Sequence, residues 1–519
     1  MTIQKDTDAA AAPTATPDTS STPDLAERVA AATGGFILSD PHASLHNEDL
    51  APLPESKRRW GSFEIFNVWT NDVQSLAGYT LAASLFITAG ISGWWVFLAI
   101  VAAGAIVMGL VNLTGRPSVK YGIPYPVMAR SSMGVRGAQL PALVRGIVAI
   151  FWYGAQTYFA STAVALALNA ILGTPGGGTF LGMNAVDWVS YVIVSIIQIS
   201  LFLKGMDSIT AFLNFAGPAV YVVMLLLLGA VWVQAGDELL PAVGSIFTND
   251  TVTGGAAISA FVGVIGTMIA YFSAVIINFG DFARFSRSQG AMRRGNLLGL
   301  PVSLAFFTFL SLFITAGAYI VYQDGTGEPL TNPAEIVGLT GSVPLTVLAA
   351  VTFLVATIGI NLVANFIPPA FDLSNLAPQR ISFKQGGYIT AIVAFVIGAL
   401  WVSVISTIGL PTFVDTLGAV LAPLYGIMVV DYYILRKQKL AVSDLYSASP
   451  DGAYYFTRGW NVRAVGAFAL AAIFSVSAVW VPALQELSGF AWVLGALLGA
   501  VVYLLAMRSR PVVVPADAQ

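Results

Sequence analysis

The sequence predicts an all-α integral membrane protein with twelve transmembrane helices. Of its 519 residues, 56% are hydrophobic and only 10% are charged, and the mean hydropathy is +0.77. Because a soluble globular protein carries about 25% charged residues, a water-soluble enzyme is excluded. Continuous apolar stretches long enough to cross a hydrocarbon core of about 30 Å recur along the chain. Their lack of apolar–polar alternation favours helices over the strands of a barrel.

The predicted helices lie between two polar tails. Residues 1–48 are rich in Ala, Thr, Pro and Asp and are predicted to form a disordered cytoplasmic tail, followed by a transmembrane domain over 49–508 and a second cytoplasmic tail over 509–519. The approximate bounds of predicted helices 1 to 12 are 65–90, 94–114, 143–172, 186–203, 211–236, 257–280, 297–323, 344–371, 387–408, 411–435, 462–482 and 489–507.

The positions of the cations predict the orientation of these helices. All 24 Lys and Arg residues fall in the tails or on the side that holds the loops after helices 2, 4, 6, 8 and 10, here named the cationic side. The opposite loops carry acidic residues such as Asp237 and Glu328. By the positive-inside rule, we expect a multi-pass protein of the cell membrane with both termini in the cytoplasm.

The composition argues against several other functions. The net charge of −3 provides no basic surface for a nucleic acid. There is no cysteine, and the only histidines, His42 and His46, lie in the N-terminal segment, so we expect no metal site, no cofactor and no nucleophile–base pair within the membrane. A membrane-embedded enzyme is therefore disfavoured, and no feature predicts an oligomeric state.

Predicted helix 1 contains polar residues in its apolar run, namely Asn71, Asp72, Gln74 and Ser75. This pattern fits an interrupted helix that lines a wet cavity. An intramembrane carboxylate such as Asp72 indicates function by default, and a structural partner for a neighbouring helix is the alternative.

Predicted helices 3 and 8 each carry a pair of polar or aromatic residues four positions apart. Trp152 and Gln156 share one face of helix 3, and Asn361 and Asn365 share one face of helix 8. A flat indole together with amides predicts a site for a planar ring edged with N–H and C=O groups. The alternative is that the amides only hold helices together.

Predicted helix 6 reads as a second interrupted helix, because Gly263 and Gly266 lie within it. The aromatic pair Tyr271 and Phe272 follows, and such a pair alone is more often packing than binding. Near the helix edges, Asp281 and Asp431 precede Arg284 and Arg436, which predicts two interfacial salt bridges. The role of Asp415 on helix 10 stays open.

Five stretches together resemble the nucleobase–cation symporter family 1, which includes hydantoin, allantoin, cytosine and uracil permeases. They are residues 120–137, 151–157, 278–284, 361–365 and 426–433, within a resemblance that covers about 47–508. The resemblance implies a LeuT-like core in which helices 1–5 and 6–10 are inverted repeats, with helices 11 and 12 appended. It pairs helix 1 with helix 6 and helix 3 with helix 8.

The resemblance also implies roles for individual residues. The implied substrate-binding residues are Trp152 (stacking), Gln156, Asn361, Asn365, Phe272, Tyr271 and Ser75, and Val414 stands at a gate position on helix 10. The implied coupling-ion region holds the carbonyl positions Asn71, Gln74 and Ala356 and the hydroxyl positions Gly359 and Ile360, with Asp72 close by.

The expected function is secondary active import of a nucleobase or related cyclic amide (uracil, allantoin, cytosine, hydantoin or purine type) by alternating access. Proton coupling is favoured over sodium coupling, because Gly359 and Ile360 offer no hydroxyl and Asp72 adds a titratable group. A channel for small polar solutes is the alternative of another class, which the lack of charged rings disfavours. The expected partners are the small-molecule substrate and membrane lipid.

Overall fold

The computed structural model describes residues 38, 41–173, 177–248, 251–323, 330–339 and 341–508. The predicted C-terminal tail and residues 1–37 and 39–40 of the predicted N-terminal tail lie outside these residues. Helices α1 to α12 correspond in order to predicted helices 1 to 12. Their bounds are α1a Ser62–Val73, α1b Leu76–Thr88, α2 Gly93–Tyr121, α3 Gln139–Leu172, α4 Ala185–Leu203, α5 Met206–Ala235, α6 Gly254–Asn278, α7 Gln289–Gln323, α8 Val343–Leu376, α9 Phe383–Ala399, α10 Leu410–Leu435, α11 Val462–Trp480 and α12 Ala491–Met507.

Length and composition agree with the twelve predicted spans. Ten segments of the described chain are long and apolar enough to cross a membrane. One of the remaining two predicted spans coincides with α9, and the other coincides with the two halves of α1. Both α9 and α1b are apolar helices that are shorter than these ten segments.

Helix α1 is interrupted, as its polar residues predict. The helix leaves its α-conformation at Gln74 and Ser75, and Ser75 has extended backbone. The Ser75 hydroxyl then accepts a 2.8 Å hydrogen bond from the Gly78 N–H and so caps α1b. The break lies two residues after Asp72, so this carboxyl belongs to the last turn of α1a.

The predicted interruption of α6 is wrong, because the helix is continuous from Gly254 to Asn278. A Cβ at Gly266 would collide with the Gly489 carbonyl, and the Gly263 backbone lies against the same residue. Glycine here allows close packing against the turn before α12. A glycine inside a helix costs only about 1 kcal/mol, which is too little to break a packed helix.

Helix α8 widens into a π-turn over Asn361–Phe366 before it continues as Ile367–Leu376. π-bulges occur often at functional sites, because they rotate the side chains that follow them relative to a regular helix. The turn contains both asparagines that the sequence analysis singled out.

Helices α3 and α9 touch backbone to backbone. A Cβ at Gly154 would lie 2.7 Å from the Gly398 nitrogen, and a Cβ at Gly398 would lie 2.5 Å from the Gly154 oxygen. Only residues without a side chain permit this approach. The contact lies on the same turns of α3 as Trp152 and Gln156.

On the cationic side, one of the two predicted salt bridges is confirmed. Arg436 Nε lies 2.7 Å from Asp431 Oδ2, and both side chains are buried. The predicted pair of Asp281 with Arg284 is wrong. Arg284 instead donates to the backbone carbonyls of Asp49 (3.0 Å) and Ala51 (2.7 Å), which come from the segment before α1.

The last residues of the predicted N-terminal tail pack against the cationic side. The His42 N–H donates to the Tyr446 carbonyl at 2.9 Å, and Asn47 Nδ2 donates to Ser374 Oγ at 2.8 Å. Leu45 is buried. The packed part of the chain therefore includes residues before the predicted boundary at 49.

Candidate functional site

A narrow cavity lies where α1, α3, α6 and α8 meet. These are the four helices on which the sequence analysis found polar or aromatic clusters. The lining residues are Asp72, Trp152, Gln156, Tyr271, Ala274, Val275, Ile360, Ala364 and Asn365. One wall is aromatic, one is apolar, and three polar side chains face the same space.

The Trp152 ring is held by two edge-to-face contacts. Its centroid lies 5.8 Å from that of Tyr271 and 5.1 Å from that of Phe413, with interplanar angles of 84° and 74°. These contacts fix the plane of the indole. Val414, the predicted gate residue, is buried and does not line the cavity, whereas the adjacent Phe413 makes the contact with Trp152.

Gln156 is fully buried, and neither its Nε2 nor its Oε1 has a hydrogen-bond partner among the described residues. Leaving a buried polar atom unpaired costs about 1–3 kcal/mol. The side chain thus presents one donor group and one acceptor to the cavity, a complementary pair for the edge of a lactam or amide ring.

Asn361 does not line the cavity but positions Asn365, which does. Asn361 Nδ2 donates to Gln198 Oε1 at 2.6 Å, and Asn361 Oδ1 accepts a 3.0 Å bond from Asn365 Nδ2. Gln198 Nε2 in turn donates to Thr157 Oγ1 at 3.2 Å. Sequence reasoning missed Gln198, whose only signal was an amide in an apolar helix.

Of the other predicted pocket walls, Tyr271 lines the cavity and Ser75 supports it. The Ser75 and Tyr271 hydroxyls are 3.0 Å apart, which links the break in α1 to α6. Phe272 is buried and does not line the cavity. Its ring meets Trp69 edge-on, with centroids 6.4 Å apart, so it packs α6 against α1.

Asp72 faces the cavity directly, although the sequence analysis assigned it to the coupling-ion region. Its side chain is 3% exposed, and Oδ2 has no hydrogen-bond partner among the described residues. A titratable group therefore lies beside the amide and indole groups of the same cavity.

The predicted coupling-ion region is filled by a side chain. Asn71 Nδ2 donates to the carbonyls of Asn67 (2.7 Å) and Leu213 (3.0 Å). A Cβ at Gly359 would collide with Asn71 Oδ1, so a hydroxyl-bearing residue at 359 requires Asn71 to move. Ile360 lines the cavity. Gln74, at the break in α1, and Ala356, on α8, are both buried.

Residues 52–501 match the model of a family described as permeases for cytosine/purines, uracil, thiamine and allantoin. The chain belongs to this family. It is therefore a multi-pass membrane permease of the nucleobase–cation symporter type and not an enzyme.

Two relatives illustrate the similarity of this permease to other members. It is 34% identical over 475 residues to the allantoin permease of Bacillus subtilis, covering 90% of this chain and 94% of that one. It is 32% identical over 448 residues to the purine-uracil permease NCS1 of Arabidopsis thaliana, covering 84% and 73%.

Solved structures show the same fold. Mhp1, a nucleobase-cation-symport-1 family transporter in a closed conformation with bromovinylhydantoin bound, matches with a TM-score of 0.73 at 23% identity, covering 90% of this chain and 96% of that one. A Na+-coupled sialic acid symporter matches with a TM-score of 0.64 at 14% identity, covering 88% and 92%. The predicted LeuT-like fold is confirmed.

Proposed function

We propose that this permease imports a nucleobase or related cyclic amide by alternating access and that allantoin is its first candidate substrate. The observation that carries the proposal is the convergence of Trp152, Gln156 and Asn365 on one cavity. The indole offers a face for a flat ring, and the two amides offer hydrogen bonds to its edge.

Allantoin combines a ring of alternating N–H and C=O groups with a ureido arm, so it suits a cavity lined by amides. The names of the relatives support this choice, since the Bacillus subtilis protein is an allantoin permease. The Arabidopsis thaliana relative is a purine-uracil permease, which makes uracil and purines the next candidates.

Proton coupling is the second part of the proposal. Asp72 lines the cavity in which we propose that the substrate binds. Its carboxyl can therefore bind the proton next to the substrate, which couples the two binding events. Gly359 and Ile360 supply no hydroxyl for a sodium ion, and the Asn71 side chain fills the space beside Gly359. A hard cation needs several oxygen ligands. Sodium coupling is the alternative that the experiment must separate.

We further place the permease in the cell membrane, with the cationic side and both termini in the cytoplasm. The support is the positive-inside rule applied to the 24 cations. Cysteines introduced singly into this cysteine-free chain at Ser447 and Asp237 test it, because a membrane-impermeant maleimide applied to intact cells labels only the outward one.

Uptake of radiolabelled allantoin into proteoliposomes tests both parts. We expect saturable uptake that is driven by an inward pH gradient and is unaffected by a sodium gradient. Uptake that requires sodium and ignores the pH gradient overturns proton coupling, and uptake that does not saturate favours a channel. A thermal-shift panel of allantoin, uracil, cytosine, hydantoin and purines identifies the preferred ring.

Trp152→Ala tests the binding site. Stacking of a base on an aromatic ring contributes about 1–3 kcal/mol, so the variant is expected to weaken binding by about 5- to 150-fold while the protein stays folded. Trp152→Phe, which keeps an aromatic face, is the matched control. An unchanged affinity of Trp152→Ala refutes the stacking role.

A further inference from the structure

A buried cluster of charged residues lies between the substrate cavity and the cationic side. Arg145 lies two turns before Trp152 on α3, toward the end of the helix that faces the cationic side. Asp281 follows α6, and Asp372 lies near the end of α8, both at that same side of the bundle. All three side chains are fully buried.

Arg145 connects this cluster to the floor of the cavity. Its Nη2 donates to the Ala364 carbonyl at 2.6 Å, and its Nε donates to the Ala274 carbonyl at 3.0 Å. Ala274 and Ala364 line the cavity. The same guanidinium also binds Asn278 Oδ1 at 3.0 Å. The charge of Arg145 is thus held directly beneath the substrate site, where it ties α3 to α6 and α8.

The two carboxylates of the cluster have different surroundings. Asp281 accepts hydrogen bonds from the Tyr125 N–H (2.7 Å) and from Asn278 Nδ2 (3.1 Å), so two donors stabilise its carboxylate. Asp372 has no hydrogen-bond partner for either oxygen among the described residues, although it is fully buried. Arg145 Nη1 has no partner there either.

The charges of the cluster do not balance when every carboxyl is ionised. Arg145 interacts electrostatically with Asp72, Asp281 and Asp372, and also with Tyr125, whose hydroxyl is the other titratable group of the cluster. Asp281 and Tyr125 also interact electrostatically with Asp372. A dry interior does not stabilise a surplus carboxylate that lacks donors. Asp372 is therefore the group of the cluster whose charge changes most readily.

We propose that Asp372 is the proton-release site of this permease, which rests on the proton coupling proposed above. Asp372 carries a proton at rest and gives it to water that reaches it from the cationic side, while its carboxylate pairs transiently with Arg145 through Nη1. The proton that entered with the substrate on Asp72 then moves to Asp372. Only O–H bonds are broken and made, so that Asp72 ends ionised, Asp372 ends protonated again, and one proton has been released to water.

Asp372→Asn in the full-length permease tests this role in proteoliposomes with radiolabelled allantoin. Two assays are compared: accumulation driven by a pH gradient, and counterflow against unlabelled allantoin at equal pH, which requires no net proton release. With one proton per substrate, the unaltered protein accumulates allantoin about tenfold per pH unit, because one unit is a tenfold proton ratio. We expect the variant to lose this accumulation and to keep counterflow within about twofold.

Two further variants separate a proton site from a structural role. Asp207→Asn removes an exposed carboxyl at the start of α5, on the same side, and is expected to change neither assay. Asp372→Glu keeps a carboxyl and is expected to accumulate allantoin with a shifted pH dependence. If Asp372→Asn does not fold, this pH profile decides, and a profile that superimposes on that of the unaltered protein overturns the proposal.

Three other results of these assays overturn the proposal, and each can be told apart from the others. Accumulation by Asp372→Asn at the level of the unaltered protein overturns the proton-release role and leaves proton coupling intact. Loss of counterflow together with accumulation in folded protein also overturns it, because it shows a general role in transport. Failure of the unaltered protein to respond to the pH gradient overturns the proposed coupling and the release site together.

Discussion

Replacing Gln156 with leucine is expected to change stability and affinity in opposite directions. Both amide atoms of Gln156 are buried and lack a partner in the described part of the chain. Each unpaired atom costs about 1–3 kcal/mol, and leucine has a similar volume without polar atoms. Gln156→Leu removes both unpaired atoms, but imperfect packing of leucine offsets part of this gain. The free energy of unfolding is therefore expected to rise by about 1–3 kcal/mol.

Affinity is expected to fall, because the substrate loses a donor and an acceptor. Two hydrogen bonds at about 0.5–1.5 kcal/mol each give about 1–3 kcal/mol, which is about 5- to 150-fold in Kd. Calorimetry with allantoin measures the affinity, and thermal unfolding in detergent without ligand measures the stability. A variant that is less stable and binds allantoin as tightly as before refutes the reasoning.

Gln198→Leu is the matched control, because Gln198 is an equally buried glutamine in which both amide atoms have a hydrogen-bond partner. Its Oε1 accepts from Asn361 and its Nε2 donates to Thr157. Removing it breaks two hydrogen bonds, whereas Asn361 Nδ2 keeps the Tyr153 carbonyl (3.2 Å) and Thr157 Oγ1 (3.1 Å) as acceptors. A loss of about 1–3 kcal/mol of stability is therefore expected. The two glutamines thus separate a ligand-facing amide from a structural one.

Three other substitutions test the surroundings of the cavity. Gly359→Ser is expected to destabilise the fold by about 1–3 kcal/mol through its clash with Asn71, and uptake assays should show no sodium dependence. Asn361→Leu is expected to lower the melting temperature and to weaken allantoin binding, because Asn365 loses its 3.0 Å anchor. Gly154→Val is expected to abolish the folded protein on size-exclusion chromatography, because α3 and α9 leave no space for its side chain.

The sequence predicted those features that depend on local periodicity. Trp152 and Gln156 lie four residues apart on one helix, so their shared face follows from helix geometry alone. The same spacing placed Asn361 beside Asn365 but could not show that Asn361 points to Gln198, which is 163 positions away in the chain. Contacts between helices depend on packing that no single segment encodes.

Two errors have the same physical origin. Glycines at Gly263 and Gly266 are compatible with a broken helix or with a close helix contact, and only the position of Gly489 decides between them. Asp281 and Arg284 are near in sequence, but each finds closer partners on other segments. Sequence proximity predicts a pair only when no distant group competes for it.

The direct contact of Gly154 with Gly398 limits where motion can occur in this permease. The two main chains touch and leave no space for a side chain between them, so α3 and α9 are expected to move as one unit. The indole and amide carried by α3 consequently form a fixed platform together with α9. Any displacement of α10 relative to this pair would change the contact between Phe413 and the indole.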